Sequence, residues 1–232
     1  MKTLQRSGGL AALYLALAYL VGLVLFIVVL DYANIADAAQ KVAMIVEQQM
    51  VFFATNLLLY VFFGIVLAIL ALALYERLKP AAPALMQVAT AVGVIWAGSL
   101  VASGMIANAG LAPTAALYAV DPAQAALTWQ GVEIVVEGIG NGNGEILGGV
   151  WMLLVSLAAL RSGGLPKVLC ILGLFTGAVG IVSLLPGLND LVALFGLSQM
   201  VWYAGVGIVL LRSKPAAVDA GRKTENVVVG VA

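Results

Sequence analysis

The chain has 232 residues, of which 63% are hydrophobic, and its 11 basic and 11 acidic residues give a net charge of zero. The mean hydropathy is +1.11, whereas about a quarter of the residues in a soluble domain are charged. This composition excludes a soluble globular domain and, because there is no basic patch, a nucleic-acid-binding protein. It predicts an all-α polytopic membrane protein whose first partner is the lipid bilayer.

Six apolar runs are candidates for membrane-spanning helices, because a helix needs about 20 apolar residues to cross about 30 Å of hydrocarbon. Five are clear, at residues 8–30, 50–75, 82–107, 168–188 and 191–211. The first follows Lys2 and Arg6 as a signal peptide would, but it is longer than a typical signal sequence, so it is predicted to remain as a helix. The other run lies between Glu145 and Arg161. Its helix would be only about 22 Å long, so it must borrow residues from its flanks.

The Lys and Arg residues predict the orientation of these spans. A cytoplasmic N-terminus leaves only Lys41, of the 11 basic residues, on the outer side. Both termini are therefore predicted to be cytoplasmic. Residues 1–212 are expected to form a single six-helix transmembrane domain. Residues 213–232, which lack helix caps and hydrophobic periodicity, are expected to form a flexible cytoplasmic tail.

Two outer connections contain helix start signals, at residues 34–37 and 121–124. The second combines Asp121 as a cap, Pro122 at the first helical position and Gln124 placed to reach back to the cap. Outer amphipathic helical segments are therefore predicted in both connections. The segment at residues 122–139 is expected to be ordered around Trp129, either packed on the bundle or dipping into the outer interface.

Residues 131–149 read GVEIVVEGIGNGNGEILGG, an unusual concentration of acids and glycines. In one continuous helix, Trp129, Glu133, Glu137, Asn141 and Glu145 would recur every four residues on one face. Such a ladder of carboxylates requires a bound cation, raised pKa values or a break in the helix, and the glycines favour a break. The alternative is that GNGNG is an ordinary exposed turn.

Glu145 is the most informative acid, because the apolar run that follows it is short. If Arg161 anchors the inner interface, Glu145 lies several ångströms inside the hydrocarbon region, where acids are costly and usually functional. If Arg161 instead snorkels and the bilayer thins, Glu145 stays at the surface.

Polar residues within the predicted spans favour their outer halves. Together with Glu145, they could line a ligand-binding vestibule that opens outward, with acids of the outer segment at its lip. The predicted binding residues are Glu145, Asn56, Gln199, Tyr203, Ser103, Asn141, Glu137 and Glu133. The alternative is that the amides and hydroxyls make only interhelical hydrogen bonds, each contributing about 1 kcal/mol or less.

Enzyme chemistry is disfavoured, and no catalytic residues are predicted. The chain has no histidine, which removes the commonest general base and the usual zinc and haem ligands. The only cysteine, Cys170, lies in an apolar run and is expected to be a buried side chain. Glu133, Glu137 and Glu145 could bind a hard cation through oxygen, but their spacing assigns neither a metal nor a cofactor.

Residues 144–186 read GEILGGVWMLLVSLAALRSGGLPKVLCILGLFTGAVGIVSLLP. An apolar helix ending in Arg-Ser-Gly-Gly-Leu-Pro-Lys, followed by a Leu/Gly-rich helix, resembles bacterial multi-pass proteins of the domain-of-unknown-function family 4386. The resemblance implies a small helix bundle in the bacterial inner membrane. It carries no activity or catalytic residues over to this chain.

The leading functional hypothesis is a membrane-embedded binder or transporter of a small cationic or amphipathic ligand that is approached from the outer face. The alternative is a non-catalytic partner subunit whose outer helices dock on another membrane protein or on a second copy of the chain. Ligand stabilisation of the purified protein would favour the first hypothesis, and co-purification of a second protein would favour the other.

Overall fold

The computed structural model describes residues 2–25, 35, 37–140 and 145–213, which form helices joined by turns, with no strand in these ranges. The helices are α1 (Lys2–Val24), α2 (Ala38–Glu47), α3 (Gln49–Asn56), a π-helical segment (Leu57–Phe62), α4 (Phe63–Leu78), α5 (Pro83–Tyr118), α6 (Pro122–Gly140), α7 (Ile146–Ser162), α8 (Lys167–Val182) and α9 (Leu191–Arg212). The all-α prediction is confirmed. The predictions made for residues 26–30 of the first span, for Asn34, for Asn141 and the rest of the GNGNG segment at 141–144, and for the tail at 214–232 lie outside the described residues.

Four helical stretches in the described part of the chain are long and apolar enough to cross a membrane. They are Thr3–Val24, Gln49–Leu78, Pro83–Tyr118 and Leu191–Arg212. The apolar helices α7 and α8 are shorter, with 17 and 16 residues, which corresponds to about 25 Å each. The chain is therefore a membrane helical bundle in which two apolar helices are shorter than a typical span.

Large aromatic side chains fill the centre of the bundle. The rings of Trp96 and Trp151 lie 5.8 Å apart, and the rings of Trp151 and Trp202 are also 5.8 Å apart. All three indoles are almost completely buried. They come from α5, α7 and α9, so this aromatic core joins the long helices to the short helix α7.

The start of α1 and the end of α9 meet at one end of the bundle, where Arg77 and Arg212 also lie and which we call the basic end. There the Gln5 side chain donates to the carbonyl oxygens of Leu210 and Ser213, each at 2.8 Å. The Arg77 side chain donates to the carbonyl of Gly164 at 2.8 Å. These bonds hold the start of α1, the end of α4, the α7–α8 turn and the end of α9 together.

A second, smaller hydrophobic core lies where α2, α3, α5 and α6 meet. Its buried members are Val42, Ile45, Phe52, Leu111, Ala125, Ala126 and Trp129. Both predicted additional helices are present. Asp37 caps α2 by accepting from the Ala39 amide at 2.9 Å, and Asp121 accepts from the Gln124 amide at 3.0 Å. Trp129 is buried, so the predicted packing of this segment is confirmed.

Helix α5 differs from its prediction, because it continues to Tyr118 instead of ending near residue 107. It runs through Pro113, a residue that normally interrupts a helix. Packing against α6 explains the extension. A Cβ atom on Gly110 would lie only 3.0 Å from the Val132 side chain of α6, so the two helices are in close contact there.

Helix α8 is shorter than predicted, since it ends at Val182 and not near residue 188. Pro186 disfavours helical geometry at the residue before it. Gly187 then adopts a positive φ of 82°, which glycine tolerates without strain. The chain turns here and enters α9 at Leu191.

Candidate functional site

A cavity of about 450 Å³ lies between α1, the π-helical segment, α5 and α9, with Glu145 at its edge. We call it the carboxylate cavity. Its lining residues are Ala18, Tyr19, Gly22, Leu23, Leu59, Tyr60, Phe63, Trp96, Leu100, Glu145, Val192, Ala193, Phe195, Gly196, Leu197 and Met200. Most of these side chains are apolar or aromatic, and Glu145 is the only one that carries a formal charge.

The backbone holds Glu145 in a fixed position immediately before α7. Its amide donates to the Ser183 hydroxyl at 3.3 Å, and its carbonyl accepts from the Gly149 amide at 2.7 Å. A Cβ atom on Gly148 would lie 3.1 Å from the Glu145 carboxylate oxygen Oε2 and 2.8 Å from a carbon of the Trp96 ring. The carboxylate therefore packs closely over a glycine and beside an indole.

Burial raises the pKa of Glu145, which precedes the first residue of α7, to about 7. The main cause is desolvation, since an apolar environment disfavours the charged form. Attraction from the Trp96 indole partly opposes this rise in the pKa. The Trp96 indole nitrogen nevertheless has no hydrogen-bond partner among the described residues. No residue lining the carboxylate cavity in the described part of the chain is positively charged.

Aromatic rings surround the space beside Glu145. Tyr19 and Phe63 meet edge to face, with ring centroids 5.5 Å apart. Together with Tyr60 and Trp96, they form one aromatic lining. The faces of such rings carry partial negative charge and attract cations. The cavity therefore combines a carboxylate with several π faces.

Buried polar groups continue beneath the cavity. The Tyr19 hydroxyl donates to the Gln199 oxygen at 2.5 Å. The Gln199 nitrogen and the Tyr203 hydroxyl are buried and, among the described residues, have no hydrogen-bond partner. Unsatisfied buried donors are rare and costly. These two groups could therefore bind a polar part of a ligand or an ordered water.

The π-helical segment shapes the opposite wall. Leu59 and Tyr60 lie in this segment and line the cavity. The carbonyl oxygen of Leu58 accepts from the Tyr14 hydroxyl at 2.8 Å, which ties the segment to α1. Single π-helical turns are frequent at functional sites, because they re-aim side chains relative to a regular α-helix.

The structure brings three of the predicted binding residues together. Glu145 lines the cavity, and Gln199 joins it through Tyr19. Tyr203 stacks near Tyr19, with centroids 6.2 Å apart. Gln199 and Tyr203 were predicted because they are polar residues in the outer halves of the predicted spans.

Asn56 and Ser103, two other predicted binding residues, lie outside the cavity lining. The Asn56 amide donates to Asn108 at 3.0 Å, between α3 and α5. Ser103 donates to the Val136 carbonyl at 3.2 Å, between α5 and α6. Both residues therefore make the interhelical contacts that were considered as the alternative.

The acids of α6 also lie outside the cavity lining. Glu133 forms an ion pair with Lys41 of α2 at 3.6 Å, and Glu137 is exposed. The backbone of Glu145, with φ −93° and ψ 63°, is not helical, so Glu145 does not extend the face of α6 that carries these acids. No group of three His, Cys, Asp or Glu residues in the described ranges is placed to hold a metal ion.

Sequence reasoning missed the aromatic lining of the cavity. Tyr19, Tyr60, Phe63 and Trp96 were read as ordinary members of apolar spans. An aromatic residue in each of several spans is the only signal, and it does not say which helix faces meet.

The comparisons with known proteins identify a family. No curated protein and no solved structure matches the chain. The model of the family described as "Domain of unknown function (DUF4386)" matches residues 9–213. This match extends well beyond the segment that carried the resemblance and includes every helix that contributes to the carboxylate cavity. Since it covers most of the 232 residues, the chain belongs to the DUF4386 family.

Proposed function

We propose that the protein is a membrane-embedded binder or transporter of a small amphipathic cation. The observation that carries this proposal is the pairing of Glu145 with an aromatic wall: among the described residues that line the cavity, it is the only charged one, and none is a cation. A desolvated carboxylate that no cation of the described cavity lining compensates is unfavourable. A ligand cation would neutralise it and contact the π faces at the same time.

The apolar lining favours a ligand that also has a hydrophobic part. Apart from the carboxylate and a few polar atoms, the walls are aliphatic and aromatic. The volume of about 450 Å³ falls within the usual range for small-molecule sites, about 300 to 1,000 Å³. A strongly hydrated inorganic ion would leave most of this apolar surface uncovered. An ammonium group on an aromatic or aliphatic body matches the lining better.

Thermal unfolding of the purified protein tests this proposal. Benzyltrimethylammonium should raise the melting temperature, and neopentylbenzene, which has the same shape without the charge, should raise it much less. At about one hundred times Kd, the cation should stabilise the protein by about 2.7 kcal/mol. Glu145→Gln should lose this response. Glu137→Gln removes an exposed acid outside the cavity and should keep it. Equal responses to the two compounds would contradict a charge-selective site.

The proposed topology is a six-span bundle in the bacterial inner membrane, with both termini cytoplasmic and the carboxylate cavity opening toward the outer face. The concentration of Lys and Arg at the basic end supports this orientation. In this arrangement α7 and α8 also cross the bilayer. Their length of about 25 Å requires either local thinning or a contribution from flanking residues.

Cysteine labelling in intact cells should reveal this topology. In a background carrying Cys170→Ala, cysteines introduced at Asp37 and Asp121 should react with an impermeant maleimide. Cysteines introduced at Lys79 and Lys167 should react only after the membrane is opened. Labelling at Lys79 in intact cells would contradict the six-span arrangement.

A second candidate function is supported by one surface. On α6, Leu127 and Ile134 are more than half exposed, although the other side of the helix packs on α2 and α5. This surface suits a partner subunit or a second copy of the chain. Stoichiometric co-purification in mild detergent, abolished by Leu127→Asp but retained in Glu145→Gln, would favour this function over ligand binding.

A further inference from the structure

A second concave site lies at the basic end, far along the bundle from Glu145. This cleft has a volume of about 580 Å³ and is formed by the α7–α8 turn and the ends of α4 and α9. Its lining residues are Arg77, Gly163, Gly164, Leu165, Pro166, Ile208, Val209, Arg212 and Ser213. Among the described residues, two arginines and no acid line it. We call it the arginine cleft.

Arg77 is held in place by neutral groups. Its Nε donates to the Gly164 carbonyl at 2.8 Å, and one terminal nitrogen donates to the Ser213 hydroxyl at 3.3 Å. The adjacent acid, Glu76, pairs with Lys79 instead. Within the described ranges, no carboxylate forms an ion pair with Arg77 or Arg212. As far as the described residues go, both guanidinium charges are therefore uncompensated and can attract an anion.

The start of α8 adds a third favourable element. Pro166 lines the arginine cleft and immediately precedes α8. Its carbonyl accepts from the Leu169 and Cys170 amides at 3.0 and 3.2 Å, so the first turn is formed. The N–H groups of Lys167 and Val168 precede these bonded amides, and the first amides of a helix have no partner within it. A helix start of this kind attracts phosphate and other anions.

We propose that the arginine cleft binds a phosphate group, carried either by an anionic phospholipid or by a free phosphate compound. Guanidinium groups match phosphate oxygens in charge and in planar hydrogen-bonding geometry. The apolar side chains of Ile208 and Val209 at the cleft give an acyl chain or the body of a phosphate compound a surface to contact. This site is independent of the carboxylate cavity, which has the opposite charge.

The test measures binding to the full chain purified in a neutral detergent. One arm titrates phosphatidylglycerol in mixed micelles, with phosphatidylcholine as the reference lipid, and the other titrates inorganic phosphate against chloride at equal ionic strength. Stabilisation by phosphatidylglycerol alone would identify a lipid headgroup. Stabilisation by both would identify free phosphate as a sufficient ligand. If neither anion raises the melting temperature, the proposal is wrong.

Two arginine variants with the same charge change distinguish specific binding in the arginine cleft from general attraction by positive charge. Arg212 is exposed, so Arg212→Gln should fold, and it should weaken phosphate or phosphatidylglycerol binding about tenfold. Arg161→Gln makes the same charge change at an exposed arginine outside the cleft lining and should change the affinity less than about twofold. Equal losses in the two variants would overturn the proposal. Arg77→Lys keeps the positive charge but loses the planar guanidinium, which can donate two parallel hydrogen bonds to phosphate. This variant should also weaken binding.

Discussion

Glu145→Gln is expected to remove a large pH dependence from the stability of the protein. The pKa of Glu145 in the folded state is about 7, against an ordinary glutamate pKa of 4.5. The folded state therefore binds the proton more tightly than the unfolded state does. The contribution of Glu145 to stability should be fully present below about pH 4.5 and should be lost as the pH rises through 7, with a total change on the order of 3 kcal/mol. The Gln variant, which cannot ionise, should lack this change.

Melting temperatures at pH 5 and pH 8 will show the difference. The wild type should lose more stability than Glu145→Gln between these values, and at pH 8 the Gln variant should be the more stable of the two. Glu137→Gln, which alters an exposed acid, should behave like the wild type. Addition of benzyltrimethylammonium at pH 8 should restore much of the lost stability to the wild type only. Parallel curves for all three proteins would show that Glu145 is not a critical buried acid.

Gly177→Ala is expected to destabilise the protein through the contact between α7 and α8. A Cβ atom at Gly177 would lie 2.7 Å from the Gly149 carbonyl oxygen and 2.7 Å from the Leu153 side chain. The backbone oxygen cannot move without shifting α7. Overpacking of this kind costs about 1 to 3 kcal/mol, and we expect a fall of about 5 °C in the melting temperature.

The same substitution at an open position provides the control. Gly98 lies in α5, and nothing is within 4 Å of the position its Cβ would take. Gly98→Ala should therefore be neutral or slightly stabilising, because alanine favours a helix by up to about 1 kcal/mol. A similar loss at both positions would show that the α7–α8 contact is not the cause.

The α7–α8 contact also affects the position of Glu145 in the carboxylate cavity. Helix α8 supports the Glu145 backbone, since a Cβ atom at Gly180 would lie 3.1 Å from the Glu145 carbonyl oxygen, and Ser183 accepts from its amide. A displaced α8 should move the carboxylate. Gly177→Ala should therefore weaken the response to benzyltrimethylammonium as well as the stability.

The sequence was sufficient to predict where most of the helices lie, because apolar length and caps are local properties, but the predicted ends of α5 and α8 were wrong. Asp37 and Asp121 cap the helices predicted to follow them. The continuation of α5 through Pro113 could not be predicted, because it depends on contact with α6, which is distant in the chain. The π-helical segment at Leu57–Phe62 also escaped prediction, since its sequence, LLLYVF, is compatible with an ordinary α-helix.

The candidate site was predicted only in part, for a related reason. Glu145 stood out because the helix after it is short, and helix length can be read directly. Asn56 and Ser103 were assigned to the same site as Glu145 only because they lie at a similar depth in the predicted membrane spans. In the structure, their side chains instead bond to Asn108 and Val136. Trp96 and Tyr60 line the cavity because of how their helices are rotated relative to one another. This rotation cannot be read from the pattern of a single sequence.

The position of a bound cation tests the central claim most directly. An experimental structure with 4-iodobenzyltrimethylammonium, analysed by anomalous scattering, would locate the iodine without ambiguity. We expect one site in the carboxylate cavity, with the ammonium group between Glu145 and the aromatic rings of Tyr60 and Trp96, and no such site in Glu145→Gln. An empty cavity at saturating ligand, or the same iodine peak in the Gln variant, would contradict the account.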